Sequence, residues 1–194
     1  METVCVFCGS RAGSRPSYVE AAKLMGKEIS RRGLRLVYGG GRVGLMGALA
    51  DAALEEGGEV VGVIPKALVA REIAHTGLTE LYVVGSMHER KRLMAELSDG
   101  FVTLPGGYGT LEEFCEMLSW AQLGIHGKPC GLLDVDGFWE PLVTLLDKAV
   151  AEGFAHSNHR SFVLAEQDPH TLLSLMSRYT PPEARGWWIE ERDL

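Results

Sequence analysis

Short runs rich in Val, Leu, Ile and Phe alternate along this chain with longer stretches in which apolar residues return every three or four positions. The short runs lie at Thr3–Cys8, Arg35–Tyr38, Glu59–Ile64, Glu80–Val84, Gly100–Leu104, Pro129–Leu133 and Phe162–Ala165. Most are nearly continuous in apolar residues, the pattern of parallel strands covered on both faces. The longer stretches, at residues 17–32, 43–56, 87–98, 110–123, 138–151 and 169–178, read as helices, with Leu93, Met94 and Leu97 marking the spacing. Strict alternation of the two predicts a three-layer α/β fold of Rossmann type, a mostly parallel sheet with helices on both faces.

No linker, repeat or low-complexity segment interrupts this pattern, so residues 1–180 are expected to form one domain. Pro181-Pro182 should end the last helix, leaving a tail over 181–194 whose Trp187-Trp188 is expected to pack on the body or on a partner subunit. At 194 residues, 46% apolar and 23% charged, the chain can bury an ample core. Its 19 basic against 26 acidic residues give a net charge of −7, which argues against nucleic acid as a partner, because that affinity comes largely from phosphate neutralisation. No apolar run approaches a membrane span and Met1-Glu2-Thr3-Val4 lacks a basic leader region, so neither membrane nor export is expected.

Cys5 and Cys8 form a Cys-x-x-Cys pair, a spacing shared by redox and zinc sites. Along a strand, however, residues three apart point to opposite faces. With no second pair and no matching histidine spacing, the cysteines read as reduced structural thiols of a cytoplasmic protein, and no metal site is expected.

Candidate chemistry sits at the strand ends, because open α/β sheets bind ligands outside the carboxyl ends of their strands. Three such ends are rich in glycine or small polar residues: Cys8-Gly9-Ser10-Arg11, Gly39 through Gly47, and Pro105 through Thr110. Gly39, Gly41 and Gly44 make a formal Gly-x-Gly-x-x-Gly, but it follows the second strand, and Ile64-Pro65-Lys66 stands where a ribose-binding acid should be. Neither a dinucleotide site nor a Walker loop fits, since no glycine-rich stretch ends in Gly-Lys-Ser/Thr. Pro105-Gly106-Gly107-Tyr108-Gly109-Thr110 is different, because a strand passing through it into a helix start makes an anion site from backbone N–H groups. Glu113 then places a carboxylate within one turn of that site, where it either caps the helix or acts on the ligand.

Met87-His88-Glu89-Arg90-Lys91-Arg92 opens the preceding helix, and three bases there run against the helix dipole. A solvated face is one reading; the other brings Arg90 and Lys91 to the anion site, Arg90 as a bidentate clamp and Lys91 as a point charge.

Taken together, these residues resemble the LOG ("LONELY GUY") family of cytokinin riboside 5′-monophosphate phosphoribohydrolases, once labelled lysine decarboxylases. The family signature Pro-Gly-Gly-x-Gly-Thr-x-x-Glu stands complete at Pro105–Glu113, and the upstream Met-His-x-Arg-Lys at Met87–Lys91. Further matches are Cys8-Gly9-Ser10, Tyr38 through Gly47, Ile64-Pro65-Lys66, Trp120 through His126 and Asp136-Gly137-Phe138. The resemblance implies hydrolysis of the N-glycosidic bond of an adenine-type nucleoside 5′-monophosphate, with Arg90 and Glu113 as the catalytic pair. It also implies that Lys91 and the backbone from Gly107 through Thr110 hold the phosphate, and that Glu72 contacts the substrate. Remaining contacts would come from Gly9, Ser10, Gly40, Gly41, Met87, Gly106, Tyr108, Gly109, Leu111, Glu112 and Ser119. Ser119 stands where plant members have Thr, and Ala67 through Ala70 departs from the usual Pro-containing form.

The implied chemistry suits the residues. Glycosidic cleavage builds positive charge on the sugar and negative charge on the departing base. A positioned carboxylate such as Glu113 is worth ~10²–10⁴-fold as a base, and Arg90 is a better electrostatic clamp than proton donor. No cofactor is expected, and a homodimer is. A non-catalytic carrier of the molybdenum cofactor type is the rival reading, since fold alone does not fix function.

Overall fold

The apolar runs pair side by side into one seven-stranded sheet in the computed structural model, which describes residues 1–69 and 73–182. The strands are β1 (Thr3–Phe7), β2 (Arg35–Tyr38), β3 (Val60–Pro65), β4 (Glu80–Val84), β5 (Gly100–Thr103), β6 (Cys130–Leu133) and β7 (Val163–Glu166). Between them run α1 (Pro16–Arg31), α2 (Gly44–Glu55), α3 (Met87–Glu96), α4 (Tyr108–Gln122), α5 (Glu140–Ala151), α6 (Ser157–Arg160) and α7 (Pro169–Ser177). Every pairing is parallel, in the order β4-β3-β2-β1-β5-β6-β7.

Alternation along β1 divides the core into two layers. Val4, Val6 and Cys8 face α1, α2 and α7 through Met25, Ile29, Leu49 and Leu172. Cys5 and Phe7 face the other way, with Met94 of α3, Phe114 and Met117 of α4, and Trp139. Cys5 and Cys8 therefore lie on opposite faces of the sheet with free thiols, as the strand period requires.

Two departures from the pattern have simple causes. Helix α4 starts at Tyr108 instead of residue 110, because the extended Gly107 serves as its N-cap and the Tyr108-Gly109 pair is already helical. Helix α6 has four residues, too few to carry any period. The tail tryptophans Trp187 and Trp188 lie outside the described residues.

Helices α1 and α2 approach so closely that a Cβ on Gly26 would stand 2.3 Å from the Leu49 carbonyl oxygen. Relief requires backbone movement, so Gly26→Ala should destabilise the protein by about 1–3 kcal/mol. A thermal melt of the variant, compared with wild type, checks this; an unchanged Tm would show that the helices separate freely.

Candidate active site

The chain runs from β1 outward to β4 and then returns to lay β5 on the other side of β1. That reversal leaves the loops after β1 and β5 facing each other across a crevice at the carboxyl ends of the strands. They touch: the Gly9 N–H donates to the Pro105 carbonyl at 3.1 Å. Around this contact lies a cavity of about 730 Å³, bordered by residues 8–13, Gly39, residues 105–110, Met87, Arg90, Glu112 and Glu113. Its size suits a small-molecule ligand.

One wall is the N-terminus of α4, which no side chain caps. The first helical N–H groups have no intrahelical acceptor and carry the positive end of the helix dipole. A Cβ on Gly106 would stand 2.1 Å from Thr110 Oγ1, so only glycine lets the buried threonine fold back beneath the turn. Space is open around Gly107 and Gly109, and Tyr108 stands 93% exposed on the rim. These features leave a concave surface of main-chain N–H groups, a geometry that suits an anion.

Arg90 reaches the same cavity from α3, although the residue is only 4% exposed. Its Nε donates to the Val63 carbonyl at 3.0 Å and its Nη2 to the Gly39 carbonyl at 2.9 Å, so the ends of β3 and β2 hold the guanidinium. A Cβ at position 39 would lie 2.1 Å from Nη2. Gly39 is thus glycine because the arginine lies against it, a relation the spacing of the glycine triplet alone does not disclose.

Glu113 is half-buried on α4 and borders the cavity. Its charge and that of Arg90 both act on the Cys8 thiol: burial pushes that thiol far up, Glu113 pushes it further, and Arg90 partly offsets them. Cys8 also borders the cavity, yet a thiol so reluctant to ionise is no nucleophile. At this buried floor the charges of Arg90 and Glu113 bear on the same small volume.

Lys91 turns toward α4. It does not border the cavity; its side chain, 5% exposed, bonds to Glu112 and lies 3.0 Å from Glu116, both on α4. Burial works against its charge, but the contacts with Glu112 and Glu116 outweigh burial and leave its pKa raised. The physical reason is helix geometry: consecutive residues diverge by about 100°, so Arg90 points under the sheet ends while Lys91 points at α4. Arg92, the third base, is solvated near Glu96. Glu89 is engaged locally, accepting from the Gly85 N–H at 2.7 Å while Ser86 caps the Glu89 N–H at 3.1 Å.

Of the other residues that the motifs nominate, Gly9, Ser10, Met87, Gly106, Gly107, Tyr108, Gly109, Thr110 and Glu112 border the cavity. Gly40, Gly41, Leu111 and Ser119 do not; Ser119 Oγ bonds the Cys115 carbonyl of its own helix at 2.7 Å. Glu72 lies outside the described residues. Among the described residues no cluster of three His, Cys, Asp or Glu could hold a metal ion.

Pattern reasoning missed the apolar wall. Tyr18 of α1 and Phe138 after β6 meet edge to face at 5.8 Å and border the cavity with Leu45 and Met46. Asp136 ties the two segments, accepting from Ser17 Oγ at 2.6 Å. The signal available was Asp136-Gly137-Phe138, matched as a motif but given no role. Arg11, also on the cavity, carried no signal beyond its neighbours.

A family profile described as "Possible lysine decarboxylase" matches residues 46–176. The cytokinin riboside 5′-monophosphate phosphoribohydrolase LOG of Oryza sativa subsp. japonica is 48% identical over 178 residues, 92% of this chain and 74% of that protein. LOG7 of Arabidopsis thaliana, of the same name, is 49% identical over 92% of this chain and 82% of its own. Among solved structures, the molybdenum cofactor carrier protein of Chlamydomonas reinhardtii aligns with a TM-score of 0.69 at 21% identity, over 91% of this chain and 96% of that one. That likeness shows a shared fold alone. With half its residues identical to those enzymes over nine-tenths of its length, the chain belongs to the LOG family.

Proposed function

We propose that this protein is a nucleoside 5′-monophosphate phosphoribohydrolase that cleaves the N-glycosidic bond of N6-modified AMP to free base and ribose 5-phosphate. The observation that carries the reading is the meeting of Arg90 and Glu113 on one cavity with the uncapped start of α4. The activity named for relatives of about half-identical sequence supports it. The 5′-phosphate lies on the N–H groups from Gly107 through Thr110 and the Thr110 hydroxyl. The base rests against Tyr18, Phe138 and the neighbouring apolar side chains, and Glu72 contributes a further contact.

In the reaction, water attacks C1′ as the C1′–N9 bond breaks, and the electron pair of that bond departs with the base, which takes up a proton. Glu113 stabilises the positive charge that develops on the sugar and accepts the proton of the attacking water. Arg90, fixed by two main-chain carbonyls, supplies a preorganised positive charge where negative charge accumulates. Lysine decarboxylation fits less well: Lys91, the candidate for a Schiff base, is buried, doubly ion-paired and held protonated. We further propose a cytoplasmic homodimer that needs no metal or cofactor and binds no nucleic acid. The exposed Leu123, Ile125 and Leu145 on and beside α4 and α5 support the dimer, and the net charge of −7 supports the last point.

Incubation with AMP and with isopentenyladenosine monophosphate should release free base from at least one, unaffected by EDTA. Phosphate with intact nucleoside would instead mark a phosphatase, and no base from any purine monophosphate would sink the enzyme reading. Glu113→Ala should lower kcat by roughly 10²-fold or more while leaving AMP binding within a few-fold. Near-normal turnover in that variant would remove Glu113 from the mechanism.

A further inference from the structure

Resting on the reading of Arg90 as a charge that the hydrolase reaction uses, we infer that His75, clamped between Asp51 and Gly77, is a positioning residue for Arg90. It holds the glycine turn whose Gly39 carbonyl receives the guanidinium. The Gly39 carbonyl belongs to the peptide joining it to Gly40, so its direction follows the conformation at Gly40, which stands at φ 76°. Three consecutive glycines have too much freedom to keep a carbonyl aimed by themselves. Outside contacts pin all three: Arg90 Nη2 donates to the Gly39 carbonyl at 2.9 Å, the His75 N–H to the Gly40 carbonyl at 2.9 Å, and Tyr38 Oη to the Gly41 carbonyl at 3.2 Å.

The middle contact comes from residues 73–77, which belong to no helix or regular strand. This segment also accepts from the Arg42 N–H through the Ile73 carbonyl at 3.0 Å, and its Ala74 bridges Gly41 in antiparallel fashion. Ile73 stands at φ 47°, in the left-handed region that a β-branched residue avoids, so the segment is held against its own preference. Its side-chain anchor is the His75 ring, only 6% exposed as a residue. Nδ1 accepts from the Gly77 N–H at 3.0 Å, which leaves the proton facing Asp51 on Nε2, 2.9 Å from Asp51 Oδ1 on α2. Neither His75 nor Asp51 borders the cavity, so the pair acts through the turn and not on the ligand. Helix α2 thereby sets the direction of a carbonyl that holds a guanidinium of α3.

The test uses side chains that keep one ring bond at a time. Gln places an amide nitrogen where Nε2 stands and can still donate to Asp51, whereas Asn retains only an acceptor for Gly77. With isopentenyladenosine monophosphate as substrate, His75→Asn and Asp51→Ala should each lower kcat about tenfold, with KM within about threefold. His75→Gln and Asp51→Asn, which keep the donor and the acceptor, should stay within about threefold of wild type in both constants. Introduced into Arg90→Lys, His75→Asn should cost less than about threefold more, because residues acting as a unit are not additive. A second readout needs no turnover: the Arg90 Nε–H resonance, assigned by its loss in Arg90→Lys, should move in His75→Asn and Asp51→Ala and stay in the two conservative variants. Wild-type kcat and an unmoved resonance in Asp51→Ala would overturn the inference, as would a lowered Tm with kcat unchanged in His75→Asn. Should His75→Asn fail to fold, Asp51→Ala decides, since its side chain is 57% exposed on a helix that favours alanine. Wild-type protein that releases no base would bring down the hydrolase reading, and the resonance would still decide whether His75 positions Arg90.

Discussion

The hydrogen bond from Gly9 to the Pro105 carbonyl joins the two loops on which the whole site is arranged. It exists because the strand order reverses at β1, so β5 and not a sequential neighbour lies on its free side. Parallel strands then deliver every loop to the same end of the sheet, with the start of α4 pointing into the crevice. Had β5 followed β4 outward, the same residues would have been spread along an edge. The reversal concentrates them, and the small residues at the contact let the loops close.

Within that crevice the charges are arranged by direction more than by number. Each of the helices α3 and α4 carries adjacent charged residues, and the helical step sends them to different places. One member of each doublet borders the cavity and the other joins the helices at the seam, with Glu112 reaching both. A net-acidic chain thereby presents an anion with main-chain dipoles and the well-held Arg90 guanidinium instead of a broad basic surface. The acidity of the chain and the anionic character of the ligand do not conflict, because the recognition is local.

The sheet was legible in the sequence because apolar runs covered on both faces leave a continuous signal, and all seven strands lie where those runs are. The start of α4 was displaced by two residues because Gly-Tyr-Gly has turn composition yet sits on an uncapped helix. The glycine-lined turn at the start of α4 could be read from glycine chemistry. Lys91 could not be placed the same way: a run of three bases states charge, and only the packing of α3 on α4 states direction. A partial clue was present, since Glu112 and Glu116 at helical spacing call for a cation between them. The wall formed by Tyr18 and Phe138 joins segments about 120 residues apart, and no local pattern reports such a meeting.

The contact of the Arg90 guanidinium with Gly39 has a consequence for how such a site changes over evolutionary time. The two positions lie on different strand–helix units but share one volume, since a methyl group at 39 would push the guanidinium at 90 off its carbonyl partners. Substitution at 39 therefore costs the arginine its position, and becomes free of that cost only in a lineage that has already abandoned the guanidinium. A descendant that lost the chemistry would be recognisable by drift at a glycine that makes its contribution through the main chain alone.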